Sequence, residues 1–227
     1  MRMISAGVSL VLLLGIASQA HAVPTLQISD GVNPTIIVGD SQLADSAGAP
    51  GIVSWAGTLG GWVFTVETGI TKPAQGTATN PYLHLNTVAT SIGAGSLSIY
   101  FSETHFTGDG LLKGIASLSS MLGGSSLNLD VYYDEGNTLF STANLLASIT
   151  TTDYLYSDAD SMNFDYAGEY SLTLVANLVH GAGVQTSSFD AEARVPEPGS
   201  IALLGMGLVV VGFARRRGFR PGHSRSV

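Results

Sequence analysis

The chain has 227 residues, 28 of them glycine, with no cysteine and a net charge of −8. Between Val23 and Val195 the only basic residues are Lys72, Lys113 and Arg194, set against sixteen acids, so this stretch carries −13. Such a body repels phosphate backbones and anionic lipid, which excludes nucleic-acid binding. Without disulfide staples, its stability rests on an apolar core.

At the N-terminus, Arg2 precedes an apolar stretch from Val8 to Ile16, and Ala20-His21-Ala22 forms a small-x-small cleavage pattern. A positive start, a short apolar run and such a site predict a secretory signal peptide over 1–22. The run is too short for a transmembrane span of about 20 residues. The mature chain is expected to start near Val23.

From 23 to 194 the pattern is one of period-two alternation. Trp62, Phe64 and Val66 alternate with Val63, Thr65 and Glu67; Leu97, Ile99 and Phe101 with Ser98, Tyr100 and Ser102. Leu127, Leu129 and Val131 alternate with Asn128, Asp130 and Tyr132, and Tyr170, Leu172 and Leu174 with Ser171, Thr173 and Val175. This alternation predicts strands with one buried face. Further strands are expected at Thr25–Ser29, Thr35–Val38, Gly51–Ala56, Tyr82–Val88, Leu145–Thr151 and Ser188–Arg194.

Turn signals separate them: Asp30-Gly31, Gly39-Asp40, Gly60-Gly61, Gly93-Ala94-Gly95, Asp134-Glu135-Gly136-Asn137 and Gly181-Ala182-Gly183. About ten strands at this spacing predict an all-β fold, a single antiparallel β-sandwich, with the jelly roll as one candidate form. One helix competes, over Gly110–Leu122, where Leu111, Leu112, Ile115, Leu118 and Met121 recur at helical intervals.

Within the body, Asp153, Asp158, Asp160, Asn163, Asp165 and Glu169 read as a solvated acidic loop. Asp158, Asp160, Asn163 and Asp165 are its candidate calcium ligands, since that ion takes six to eight oxygens, but the spacing lacks the central Gly and final Glu of an EF-hand. His84, His105 and His180 fall on separate elements with no metal-ligand spacing. Glu103 and Asp109 are a conceivable glycosidase pair. No Gly-x-Ser-x-Gly elbow is present, and the reading is of a non-enzyme without cofactor. Tyr132-Tyr133-Asp134 and the stretch Tyr154 to Tyr166 are candidates for a sugar-facing rim, with core packing the competing explanation.

The C-terminus ends on three ordered parts: Val195-Pro196-Glu197-Pro198-Gly199, an apolar run Ile201–Ala214, and Arg215-Arg216-Arg217. The prolines predict an extended, exposed motif. As a helix the run spans about 21 Å at about 1.5 Å per residue, short of a hydrocarbon core of about 30 Å. Snorkelling arginines make up part of the difference, and Arg215, Arg216 and Arg217 favour the cytoplasmic side.

This tail resembles a PEP-CTERM sorting domain, the signal of proteins handled by exosortases in Gram-negative bacteria. The resemblance covers 195–217, with Pro196, Glu197 and Pro198 as the processing motif and Arg215, Arg216 and Arg217 as the basic stop. It departs from the pattern in the ten residues that follow, Gly218–Val227, a short basic tail. It implies export, transient residence in the inner membrane, cleavage by an exosortase near the motif, and delivery to the cell surface or extracellular matrix. The expected role is that of a surface or matrix protein; the alternatives are a carbohydrate- or calcium-binding module that engages extracellular polysaccharide, and a secreted hydrolase.

Overall fold

A computed structural model describes residues 23–123 and 125–195. The predicted signal segment, the Pro196-Glu197-Pro198 motif, the apolar run and the arginine cluster lie outside the described residues. Within them the chain is all-β and antiparallel. In chain order the strands are β1 (Thr25–Ser29), β2 (Ile36–Gly39), β3 (Ile52–Leu59), β4 (Trp62–Ile70), β5 (Tyr82–Ser91), β6 (Gly95–Met121), β7 (Ser125–Asp134), β8 (Asn144–Thr151), β9 (Leu155–His180) and β10 (Gln185–Arg194).

Two strands organise the rest. β6 and β9, 27 and 26 residues long, pair along nearly their whole length and bend together where the register shifts between Glu103 and Phe106. At this corner His105 adopts φ 59°, and its N–H donates to Asn137 Oδ1 at 2.8 Å. A bulge with left-handed backbone turns a strand sharply, which lets one strand serve two layers.

On one side of the bend the order is β2-β1-β6-β9-β7-β8; on the other it is β3-β4-β5-β10-β6-β9. The two layers close on each other as a β-sandwich. Leu26, Ile28, Leu97, Ile99, Phe101, Leu172, Leu174 and Leu178 from the first layer are buried against Phe64, Leu83, Leu85, Leu118, Phe189 and Ala191 from the second. The layers approach closely where Gly69 of β4 faces the Phe101 ring, since a Cβ at position 69 would stand 2.3 Å from Phe101 Cε2. At another point the Trp62 and His180 rings meet with centroids 4.6 Å apart.

Two sequence expectations are corrected. Residues 110–121 are not helical but continue β6: Leu112, Ala116 and Leu118 are buried while Leu111, Ile115 and Met121 are exposed. The helical spacing of the leucines is coincidental, because apolar side chains occupy both faces of this strand. Nor is the acidic segment a loop beyond Leu155. It forms the first half of β9, an edge strand whose Ser157 to Ser161 are exposed on both faces.

Candidate functional site

The metal-ligand candidates are divided by the strand they occupy. Asp158 and Asp160 pair with Leu118 and Ala116 and share their face; Asn163 and Asp165 pair with Lys113 and Leu111 on the opposite one. Period-two geometry thus points the two halves of the set apart. Asp158 instead accepts from the Tyr156 hydroxyl at 2.9 Å and, like Asp160, from the N–H of the next residue. Among the described residues, no group of three or more His, Asp or Glu side chains is arranged to hold a metal ion.

The histidines also stay apart in their contacts. His84 pairs with Asp190 on the outside of the second layer, and His105 lies 4.0 Å from Glu169 at the corner. His180 is 2% exposed, with Nδ1 hydrogen-bonded to Ser91 Oγ and Nε2 to Ser187 Oγ, both at 2.8 Å. Burial lowers the pKa of His180 and keeps the ring neutral. With both hydroxyls buried as well, the trio ties β5, β9 and β10 together. Nearby, a cavity of about 490 Å³ lies between Asp30, Asn33, Trp62, Ser91 and Ser96. The Asp30 carboxylate is already engaged there, by the N–H groups of Val32 and Asn33 and by the Asn33 side chain, and these bonds lower its pKa.

Glu103 lies across the register shift of β6 from Asp109. It is 1% exposed and takes a salt bridge from Lys72 at 2.8 Å and a hydrogen bond from the Thr71 hydroxyl. Burial raises its pKa against the opposing pull of Lys72. This is corner architecture.

The aromatic residues are more informative. Tyr133 and Phe164 pack at 4.8 Å, and Phe164, Tyr166 and Phe106 all surround Tyr170, so these rings belong to the corner of the core. Tyr154 is exposed ahead of β9, on the segment that pairs beside Leu122, far along the hairpin from Tyr132. Tyr132 lies on the outer face of the first layer, where Tyr100 from β6 joins it. Alternation puts Ser98 and Tyr100 of β6, Asn177 of β9, and Asn128, Asp130 and Tyr132 of β7 on that face, opposite the buried Leu97, Ile99, Leu129 and Val131.

This face is knitted by side-chain bonds. Ser98 Oγ donates to Asn177 Oδ1 at 2.7 Å, and Asn128 Nδ2 donates to Asp130 Oδ2 at 2.7 Å. Tyr132 OH donates to the same Asp130 oxygen at 3.4 Å, and Thr150 Oγ1 donates to Asn128 Oδ1 at 2.6 Å. Desolvation and the Asp130 charge raise the Tyr132 phenol, which stays protonated. The β7–β8 loop closes one margin: Phe140 stands edge-on to Tyr100 at 6.4 Å, and its N–H donates to Ser102 Oγ at 3.0 Å. The arrangement offers two half-buried aromatic rings, fixed amides and one carboxylate on one sheet face. Sequence alternation placed Tyr132 and Tyr100 on outward positions, but their union depends on strand neighbours far apart in the chain.

Residues 194–217 match the family model described as the PEP-CTERM protein-sorting motif. No curated protein matches the chain at a significant level. Among solved structures, one similar chain is TmCBM61 in complex with beta-1,4-galactotriose, at 12% identity and TM-score 0.33, covering 60% of this chain and 88% of that one. Another is the K1 cleaved adhesin domain of Lys-gingipain from Porphyromonas gingivalis W83, at 12% identity and TM-score 0.31, covering 65% and 99%. A third is the enzymatically active domain of tailspike protein 4 of bacteriophage CBA120, at 10% identity and TM-score 0.27, covering 57% and 19%. Likeness at this level carries no argument about ligand or activity.

Proposed function

We propose that this chain, which carries the PEP-CTERM protein-sorting motif over residues 194–217, is an exported surface or matrix protein whose sandwich holds neutral extracellular polysaccharide on the outer face of its first layer. The motif supports the route: a signal peptide directs export, the tail retains the precursor at the inner membrane, and an exosortase cleaves near Pro196-Glu197-Pro198. The single observation behind the binding reading is the Tyr100–Asp130–Tyr132 face.

Aromatic rings present apolar area at small entropic cost, and fixed amide and carboxylate groups bond hydroxyls directionally. The net charge of −13 in the body disfavours acidic polymers and leaves uncharged ones as the suitable class. A non-enzymatic role fits the contacts described: Glu103 is committed to Lys72, and the His180 ring to two buried serines. Electrophoresis of the secreted body through gels containing neutral hexose polymers tests the reading. Retarded migration is expected; unchanged migration in every polymer contradicts it.

A further inference from the structure

The folded body takes hold of the chain immediately before the processing motif. β10 is an interior strand, paired through Arg194 with Tyr82 of β5 on one side and with Ile115 of β6 on the other. Val195, the next residue, is 2% exposed, and its N–H donates to the Pro81 carbonyl at 3.0 Å. Beneath it, Gly114 leaves the space the chain occupies: a Cβ there would stand 2.6 Å from the Arg194 carbonyl oxygen and 3.1 Å from Val195 Cγ2. The sorting motif itself begins at Arg194, so its first two residues are part of the sandwich.

Covalent reach does the rest. With at most about 3.6 Å per residue, the Cα of Pro198 lies within about 11 Å of that of Val195. A processing enzyme that grips substrate on both sides of the scissile bond needs a free strand edge or a single extended segment. The residues just upstream offer neither, since both edges of Arg194 are paired and Val195 is buried with its N–H committed to Pro81.

We propose that Arg194 and Val195 act as a clasp that limits processing, so that the enzyme acts on this chain only while the end of β10 is released from Pro81, Tyr82 and Ile115. The inference rests on the processing reading above. Release is local, because β10 from Gln185 to Ala193 keeps its partners on β5 while the last two residues open. It also sets an order of events. A precursor cleaved before its last strand docks escapes the clasp, whereas one that has finished folding waits on the opening.

A pulse–chase experiment in the native host, following precursor and product sizes of the full chain, tests this. It compares the parental chain, a variant with a flexible Gly-Ser spacer of about six residues between Val195 and Pro196, and Val195→Gly. Both variants should be processed about tenfold faster than the parent, as expected when an opening equilibrium that limits access is removed. Parental or slower rates in both variants overturn the clasp. Acceleration in Val195→Gly alone reflects general loosening of the body and overturns it too. No size change in any chain, the parent included, overturns the processing reading and the clasp with it.

Discussion

Lys72 holds its ammonium 2.8 Å from Glu103 Oε1 and 4.0 Å from the centre of the Phe106 ring, across the corner where β6 passes from one layer to the other. The same ammonium donates to the Thr104 carbonyl at 2.6 Å. One side chain from the segment after β4 therefore braces both sides of the register shift in β6.

Breaking that brace from one side leaves Glu103 buried without its counter-charge. Lys72→Met should lower unfolding free energy by about 3–5 kcal/mol, the usual cost of stranding one member of a buried pair. The double variant Lys72→Met/Glu103→Leu should recover most of the loss. Urea unfolding of the parent, Lys72→Met, Glu103→Leu and the double variant measures both terms; additive losses in the double variant would contradict the pairing.

The approach of the two layers at Gly69 and Phe101 predicts a size-dependent defect. Gly69→Ala adds a methyl where the ring already lies, and overpacking of this kind costs about 1–3 kcal/mol. Phe101→Leu in the Gly69→Ala background should return part of it, seen as a higher thermal midpoint than in Gly69→Ala alone.

Glu67 supplies a pH signature. Its side chain is fully buried, one carboxyl oxygen accepts from Thr87 Oγ1 at 2.8 Å, and the other has no hydrogen-bond partner. Desolvation raises its pKa well above the ordinary 4.5. The folded state therefore holds a proton that the unfolded chain releases, and stability is fully present below 4.5 and falls as pH climbs from there through the raised value. Glu67→Gln should flatten this limb of the stability–pH curve, and Thr87→Val should cost about 1–3 kcal/mol by removing the bond to Oε1. An unchanged slope in Glu67→Gln would assign the limb to other groups.

Much of this was legible in the sequence, and the rest was hidden for physical reasons. Trp62, Phe64, Leu97 and Ile99 alternate cleanly because their strands have one wet face, and β1 and β8 fall within a residue of their expected bounds. The first half of β9 was obscure because an edge strand wet on both faces, as at Ser157 to Ser161, loses its period. Residues 110–121 misled for the opposite reason, with apolar side chains on both faces of β6. The reach of β6 and β9 through the bend depends on His105 and Asn137, 32 residues apart, and no local pattern announces it. The candidate face was half visible: Tyr132 was singled out, whereas its partner Tyr100 emerged only from the β6–β9–β7 register.

The claim that this outer face binds neutral polysaccharide is tested most directly by calorimetric titration of the secreted body with neutral hexose polymers. The account predicts saturable binding that weakens at least about tenfold, equivalent to about 1.4 kcal/mol, in Tyr100→Ala/Tyr132→Ala. Ser157→Ala, an exposed position on the other layer, should leave it unchanged. Binding of equal strength by the tyrosine double variant, or no binding by the parental body, would contradict the account.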